Sequence, residues 1–479
     1  MQLAKSIMLK NSCLALSVFL TVLLGSVSFS VSAQDNSPYS RYGLGDLVPA
    51  TNITTRGIGS ISAGYSDIFS INYNNPASYS QFQAVPEAHS KKLSYGRVIF
   101  DVGTNYSRRT LVTPNTTNRF TASDLMFSYM QVGFPIKKNW GVSFGLRPIS
   151  RISYMINRYE RLKDPNTGAN IDSAITQFRG TGGSYLPTIG TGFGFTVGSK
   201  TTTAYKHIST LSFGANGGYY FGSRENTSLR SLLNDSVNYY ASDHTTNASF
   251  GDLYFNSGLQ FQTEHTDYVK KSSTVFRFGI NGNWEQKIKG TKDSLRQTYT
   301  LGSAGEKLQV DSVYQSKGLS GEIILPANYT AGFVLQHTNA NFSGWLLGLD
   351  FSHGSWSKYR FFGQADDTQD NWMVNLGGQI IPKPRANYFS NVVYRFGLFS
   401  GKDYIKVQDK NLPVFGASFG MGLPIANHNR LSMNQSTMVN LAFEYSKRGN
   451  NDNLLKENMF RVSLGFNFTD LWFGKKKYD

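Results

Sequence analysis

From about residue 93 onward one pattern repeats: runs of about ten residues in which every second side chain is apolar or aromatic. The last run is the clearest. Between Met459 and Phe468 the apolar positions are Phe460, Val462, Leu464, Phe466 and Phe468, with Arg461, Ser463, Gly465 and Asn467 between them. Successive strand side chains point to opposite faces, so one face suits hydrocarbon and the other a polar lumen. Similar runs recur at 126–134, 142–149, 212–221, 253–261, 274–284, 329–336, 345–352, 373–380, 392–398, 415–423 and 438–445. A half-buried soluble sheet has the same period, but a sandwich does not ordinarily need a dozen strands in one unbroken unit. The pattern predicts an all-β fold, a transmembrane antiparallel β-barrel of about 14 strands over residues 93–470.

Composition excludes the other way of crossing a membrane. Mean hydropathy is −0.31, and no long apolar run follows residue 33, whereas each spanning helix needs about 20 apolar residues. Residues 1–33 carry Lys5 and Lys10, an apolar stretch from Cys13 to Val27 and small residues ending at Val31-Ser32-Ala33. This reads as a signal peptide cleaved near Ala33, with delivery to the Gram-negative outer membrane expected for the remainder. Cleavage removes the single cysteine and lowers the formal charge from +16 to +14. Disulfides and thiol chemistry are then excluded. The positive balance fits outer-membrane lipid and lipopolysaccharide phosphates, and no nucleic-acid-binding module is present.

Connections alternate in length. Pro135–Trp140 and Ala426–Arg430 read as short turns, and the polar stretches 157–182, 223–249, 285–318 and 400–412 as extracellular loops. Trp140, Trp356, Trp472 and Tyr219-Tyr220-Phe221 fall near strand ends and are assigned to interfacial girdles.

No constellation for catalysis emerges, and the chain is read as no enzyme and without cofactor or metal. Ser143 and Ser418 each sit in a G-x-S-x-G match, but both lie inside alternating runs instead of on a strand-to-helix turn. The seven histidines show no ligand spacing. Asp366, Asp367 and Asp370 have the oxygen chemistry for calcium, but read more simply as a solvated acidic loop.

Residues 34–92 lack alternation and form a separate, irregular segment. Within it Gly57-Ile58-Gly59-Ser60-Ile61-Ser62-Ala63-Gly64 through Asn74-Asn75-Pro76-Ala77 resembles the N-terminal hatch of the FadL family of outer-membrane hydrophobic-compound transporters. Leu325-Pro326 through Gly332-Phe333, Asp350-Phe351-Ser352 through Trp356-Ser357, Tyr394-Arg395-Phe396-Gly397 and Leu412-Pro413 are similar to patches of that family's wall. Ser37–Leu47 and the 471–479 tail, assigned to the periplasm, are similar to segments of its Bacteroidota branch. The resemblance implies a hatch over 34–92 with Asn75, Pro76 and Ala77 as its motif. It also implies passage of a hydrophobic, fatty-acid-like small molecule through a plugged lumen. The alternative is a non-catalytic barrel subunit docked to secretion or assembly machinery.

Overall fold

The computed structural model describes residues 37–479 apart from 88–92, 115, 117–118, 234–239, 303–305, 426–435 and 473–479. The proposed signal peptide, the 426–430 turn and the tail beyond Trp472 therefore lie outside the described residues. Two short strands, β1 (Asp46–Leu47) and β2 (Ala84–Pro86), and one helical turn, α1 (Ile53–Arg56), come first. The wall begins with β3 (Leu93–Val112), β4 (Arg119–Lys137), β5 (Trp140–Lys163), β6 (Asn170–Thr201), β7 (Tyr205–Leu233) and β8 (Ala241–Asp267). It continues with β9 (Ser272–Asn283), β10 (Gln286–Leu301), β11 (Lys307–Leu325), β12 (Asn328–Thr338), β13 (Gly344–Gly354), β14 (Arg360–Phe361) and β15 (Gln364–Ala365). The last strands are β16 (Asn371–Ile381), β17 (Val393–Val407), β18 (Lys410–Ile425), β19 (Ser436–Arg448) and β20 (Lys456–Trp472).

Four staves of the wall are each built from two pieces: β9 with β10, β11 with β12, β13 with β14, and β15 with β16. β8, for example, pairs with β10 from Ala241 to Phe250 and with β9 from Ser257 to Asp267. β20 returns to β3, from Lys456 opposite Val112 to Trp472 opposite Gly96. The result is a closed antiparallel barrel of 14 strands. Closure leaves no open edge, which is the condition for strands to stand in hydrocarbon.

The alternation seen in sequence is the wall's inside–outside register. On β20, Arg461, Ser463, Gly465, Asn467 and Thr469 are buried toward the lumen, while Phe460 and Phe468 are exposed. Phe460 to Phe468 spans about 27 Å of strand, close to the ~25 Å apolar band of such barrels. Outward-facing Phe276, Phe278 and Ile280 on β9, and Phe396 and Leu398 on β17, continue the belt.

The polar stretches expected as long loops are mostly strand. β6 and β7 run for 32 and 29 residues, far beyond the 9–11 that span a bilayer. Above the belt the outer face meets water instead of hydrocarbon and needs no apolar side, while inward residues such as Tyr154, Ala174 and Ala248 stay buried, so the ladders persist without the alternation that marks the belt in sequence.

Residues 37–82 lie inside the barrel, and the wall is shaved to receive them. A Cβ on Gly279 would stand 1.9 Å from the Ala63 carbonyl oxygen, and one on Gly377 2.1 Å from that of Ile58. Only glycine lets the two backbones touch there. Polar wall side chains then satisfy backbone groups of the inner segment: the Asp350 carboxylate accepts from the Ser62 and Ala63 amides at 2.7 and 2.9 Å. The Ser418 hydroxyl accepts from the Gly59 amide at 3.1 Å. Overpacking of this kind typically costs about 1–3 kcal/mol. Gly279→Ala should therefore lower the midpoint of heat unfolding, followed as loss of the compact form on a denaturing gel. Gly198→Ala, whose Cβ meets nothing nearer than 3.9 Å, should leave it unchanged.

Candidate functional site: a cavity at a break in the wall

The inner segment is fixed at its upper end by a buried charge cluster. Asp46 on β1 holds Arg109 of β3 at 2.6 Å and Arg448 of β19 at 2.9 Å. Arg448 also reaches Asp403 at 3.0 Å and Glu457 at 3.2 Å, and its guanidinium lies over the Tyr39 ring. Ser37 donates its hydroxyl to Glu457, and the Tyr39 hydroxyl donates to the Leu455 carbonyl at 2.7 Å. Burial alone would raise the Asp46 carboxyl, but the two arginines outweigh it and hold it below the ordinary carboxylate range.

The predicted hatch motif is wholly buried. Asn75 caps the short 3₁₀ helix Pro76–Gln81: its side-chain oxygen accepts from the Ala77 amide at 3.2 Å. Its amide group donates to Ala63 at 2.7 Å and to Leu259 of β8 at 3.3 Å. Pro76 opens the helix, where its missing N–H costs nothing, and Ala77 packs with no exposed surface. The three residues thus join two turns of the inner segment to the wall.

Above this packed region a cavity of about 280 Å³ separates the inner segment from the wall. Leu44, Leu47 and Val48 line it from inside; Leu186, Tyr220, Tyr254, Leu325 and Trp356 line it from the wall. Its polar lining includes six asparagines, Asn74, Asn256, Asn281, Asn283, Asn328 and Asn371, and the guanidinium of Arg147. Arg147 donates to the Ala50 carbonyl at 3.1 Å and to Asn74 at 3.3 Å, and lies over the Tyr73 ring. Among the described residues it forms no ion pair.

The cavity abuts the level at which the four two-piece staves are interrupted, and its lining includes Tyr329 and His353, which belong to the outward register. Residues 251–256 of β8 have no ladder partner on this side. Amide side chains take the place of the missing ladder. Gln286 accepts from the Phe255 amide at 2.8 Å and donates to its carbonyl at 2.9 Å. Asn283 and Asn328 both donate to the Pro326 carbonyl, at 3.0 and 3.1 Å. Pro326 has no N–H to lose, so the chain parts there at least cost.

Two girdle assignments are corrected here. Trp356 and Tyr220 are buried, at 5% and 1% exposure. Trp356 packs against Tyr404 in a tilted pair, with ring centroids 4.4 Å apart, and Tyr220 stacks against Phe250. Tyr219, Phe221 and Trp472 do face outward, and half-buried Trp140 stacks on Phe193. The acidic loop is not simply solvated: Asp366 accepts from the Gly43 amide at 2.8 Å, and Asp370 from the Ser357 amide at 3.0 Å. Among the described residues no group of three His, Cys, Asp or Glu side chains is placed to hold a metal. Ser143 and Ser418 are buried on the lumen face, Ser418 against the inner segment.

A family model described as BamG matches residues 8–479. The chain belongs to the BamG family. Solved structures similar to this BamG-family barrel include a Pseudomonas aeruginosa FadL homologue, at 13% identity over 90% of this chain and 100% of that one, with a TM-score of 0.44. The Pseudomonas putida toluene transporter TodX gives 12%, 89%, 99% and 0.41. The CymD monoaromatic hydrocarbon channel gives 11%, 89%, 98% and 0.44. No curated protein matches.

Breaking a buried ion pair by removing one partner costs about 3–5 kcal/mol. Asp46→Asn should lower the heat-unfolding midpoint more than Asn75→Ala does. Because the Asp46 carboxyl is depressed in the folded barrel, its contribution is present above the ordinary carboxylate pKa and lost as pH falls through the lower, folded value. The wild-type midpoint should therefore drop below about pH 4, and Asp46→Asn should drop less over the same range.

Proposed function

We propose that this BamG-family chain is a non-catalytic outer-membrane barrel that takes a hydrophobic, fatty-acid-like molecule into the cavity between its N-terminal hatch and the wall. The observation that carries this reading is the cavity itself: a mostly apolar space of about 280 Å³ with asparagines set in its walls, near the ~300–1,000 Å³ of small-molecule sites, with one cation at its edge. The apolar lining suits an acyl chain, and Arg147 suits the carboxylate at its end. The break at Asn283–Gln286 and Leu325–Asn328 supplies a route through the wall at the upper rim of the apolar belt. Asn75, Pro76 and Ala77 serve in this reading to keep the hatch seated while cargo enters above it.

A second reading rests on a different observation. On β10 and β11 the wall rises above the belt, and β11 exposes Val313 and Tyr314 on its surface. That surface suits a barrel docked as a subunit of secretion or assembly machinery. The β11 edge itself is blunted by three register shifts against β10, so a partner would seat on its face.

Native mass spectrometry of the barrel, extracted from its own membrane in mild detergent, separates the two. A fatty acid or lipid on a lone barrel, with about tenfold weaker retention in Arg147→Gln, is the expected result; a lost charge-assisted hydrogen bond of ~1.5–3 kcal/mol has that size. A stoichiometric protein partner and an empty cavity would favour docking instead.

A further inference from the structure

Neither the cavity nor the hatch uses the cations at the short-turn end of the barrel, the periplasmic end of such folds. Around four turns stand Lys137 and Lys138, Lys200 and Lys206, Lys270 and Lys271, and Lys383 and Arg385. Among the described residues none of them forms a salt bridge. Of the carboxylates at this end, Asp267 is taken up by the Val269 and Lys270 amides of its own turn, both at 2.9 Å, and Glu87 and Asp470 have partners of their own. Glu264, further up β8, bonds Ser273 and Thr266. At the opposite end the charges are mixed: Asp366, Asp367 and Asp370 lie on one connection, and Asp403 and Asp409 stand among Lys402, Lys406 and Lys410.

The cations stand beside exposed apolar side chains: Ile136 next to Lys137, Val197 near Lys200, Tyr268 and Val269 before Lys270, and Phe389 beyond Arg385. Val269 is 78% exposed and Phe389 66%. An acidic soluble surface would complement the charge but leave these side chains in water. A layer of anionic headgroups over acyl chains meets both. Lys200 and Lys383 lie three residues past the outward-facing Val197 and Ile380, about 10 Å along the strand from the apolar belt, where phosphates stand.

We propose that this rim binds the phosphates of anionic phospholipids in the periplasmic leaflet, the cations pairing with phosphate while the neighbouring apolar groups enter the acyl boundary. The site is independent of what the cavity carries. It fixes the depth and direction of the barrel by charge at one end only.

The test reconstitutes the full barrel in vesicles of mixed phosphatidylglycerol and phosphatidylcholine, extracts it in mild detergent and reads the retained lipids by native mass spectrometry. Wild type should retain phosphatidylglycerol several-fold over phosphatidylcholine, less so at high salt. The quadruple variant Lys137→Gln, Lys138→Gln, Lys270→Gln, Lys271→Gln should lose that preference, and Lys406→Gln with Lys410→Gln at the other end should keep it. These positions are on turns and strand ends at the barrel's ends, and compact migration on a cold gel checks folding. Equal retention of both lipids by wild type, or an unchanged preference in the quadruple variant, would overturn the proposal.

Discussion

Every backbone N–H and C=O that stands in hydrocarbon must be bonded within the protein, and the pairing of β20 with β3 is where this chain meets that demand. Without that seam two long strands would present bare edges to lipid. With it, the wall's register is fixed, and the register decides which side chains face the lumen. The lumen-facing set contains glycines and short polar residues, and this creates the space for residues 37–82.

The same accounting explains the departures from a regular wall. Where the staves are interrupted, side-chain amides bond freed backbone groups: Gln286 takes both the N–H and the C=O of Phe255, and Asn283 and Asn328 the Pro326 carbonyl, while Pro326 removes one donor altogether. The break is thus a built feature, and the cavity lies against it. The lower lumen, by contrast, is closed by backbone-to-backbone contact at Gly279 and Gly377 and by Asp350 and Ser418. One molecule therefore combines a packed lower half with an open upper pocket.

The barrel was legible because period two survives wherever one face meets lipid and the other a polar interior, as Phe460 to Phe468 illustrates. Above the membrane that contrast vanishes. Polar stretches such as 223–233 and 241–250 meet water on their outer face, and their buried inward residues include polar or small ones such as Asp243 and Ala248, so their strands read as loops. Aromatic residues near strand ends carry no mark of direction either: Tyr219 faces out and Tyr220 in by register alone, and Trp356 is drawn inward by the turn that follows β13. The asparagines of the cavity and the Arg147 guanidinium were invisible for the same reason, since single polar residues on a lumen face look alike until the inner segment leaves some uncovered. The Asn75-Pro76-Ala77 segment was visible through resemblance, and Asn75's bonds to Ala63 and Leu259 give it a physical basis.

The central claim is that residues 37–82 are as much a part of the folded unit as the wall. Hydrogen–deuterium exchange of the intact barrel in detergent tests it directly, because exchange reports the opening of each segment. The account predicts that amides of the inner segment, those of Ser62, Ala63 and Ala77 among them, exchange as slowly as those of β20. Exchange of that segment within seconds, while β20 stays protected, would mean that it is only loosely lodged, and the cavity it bounds would not exist as a defined site.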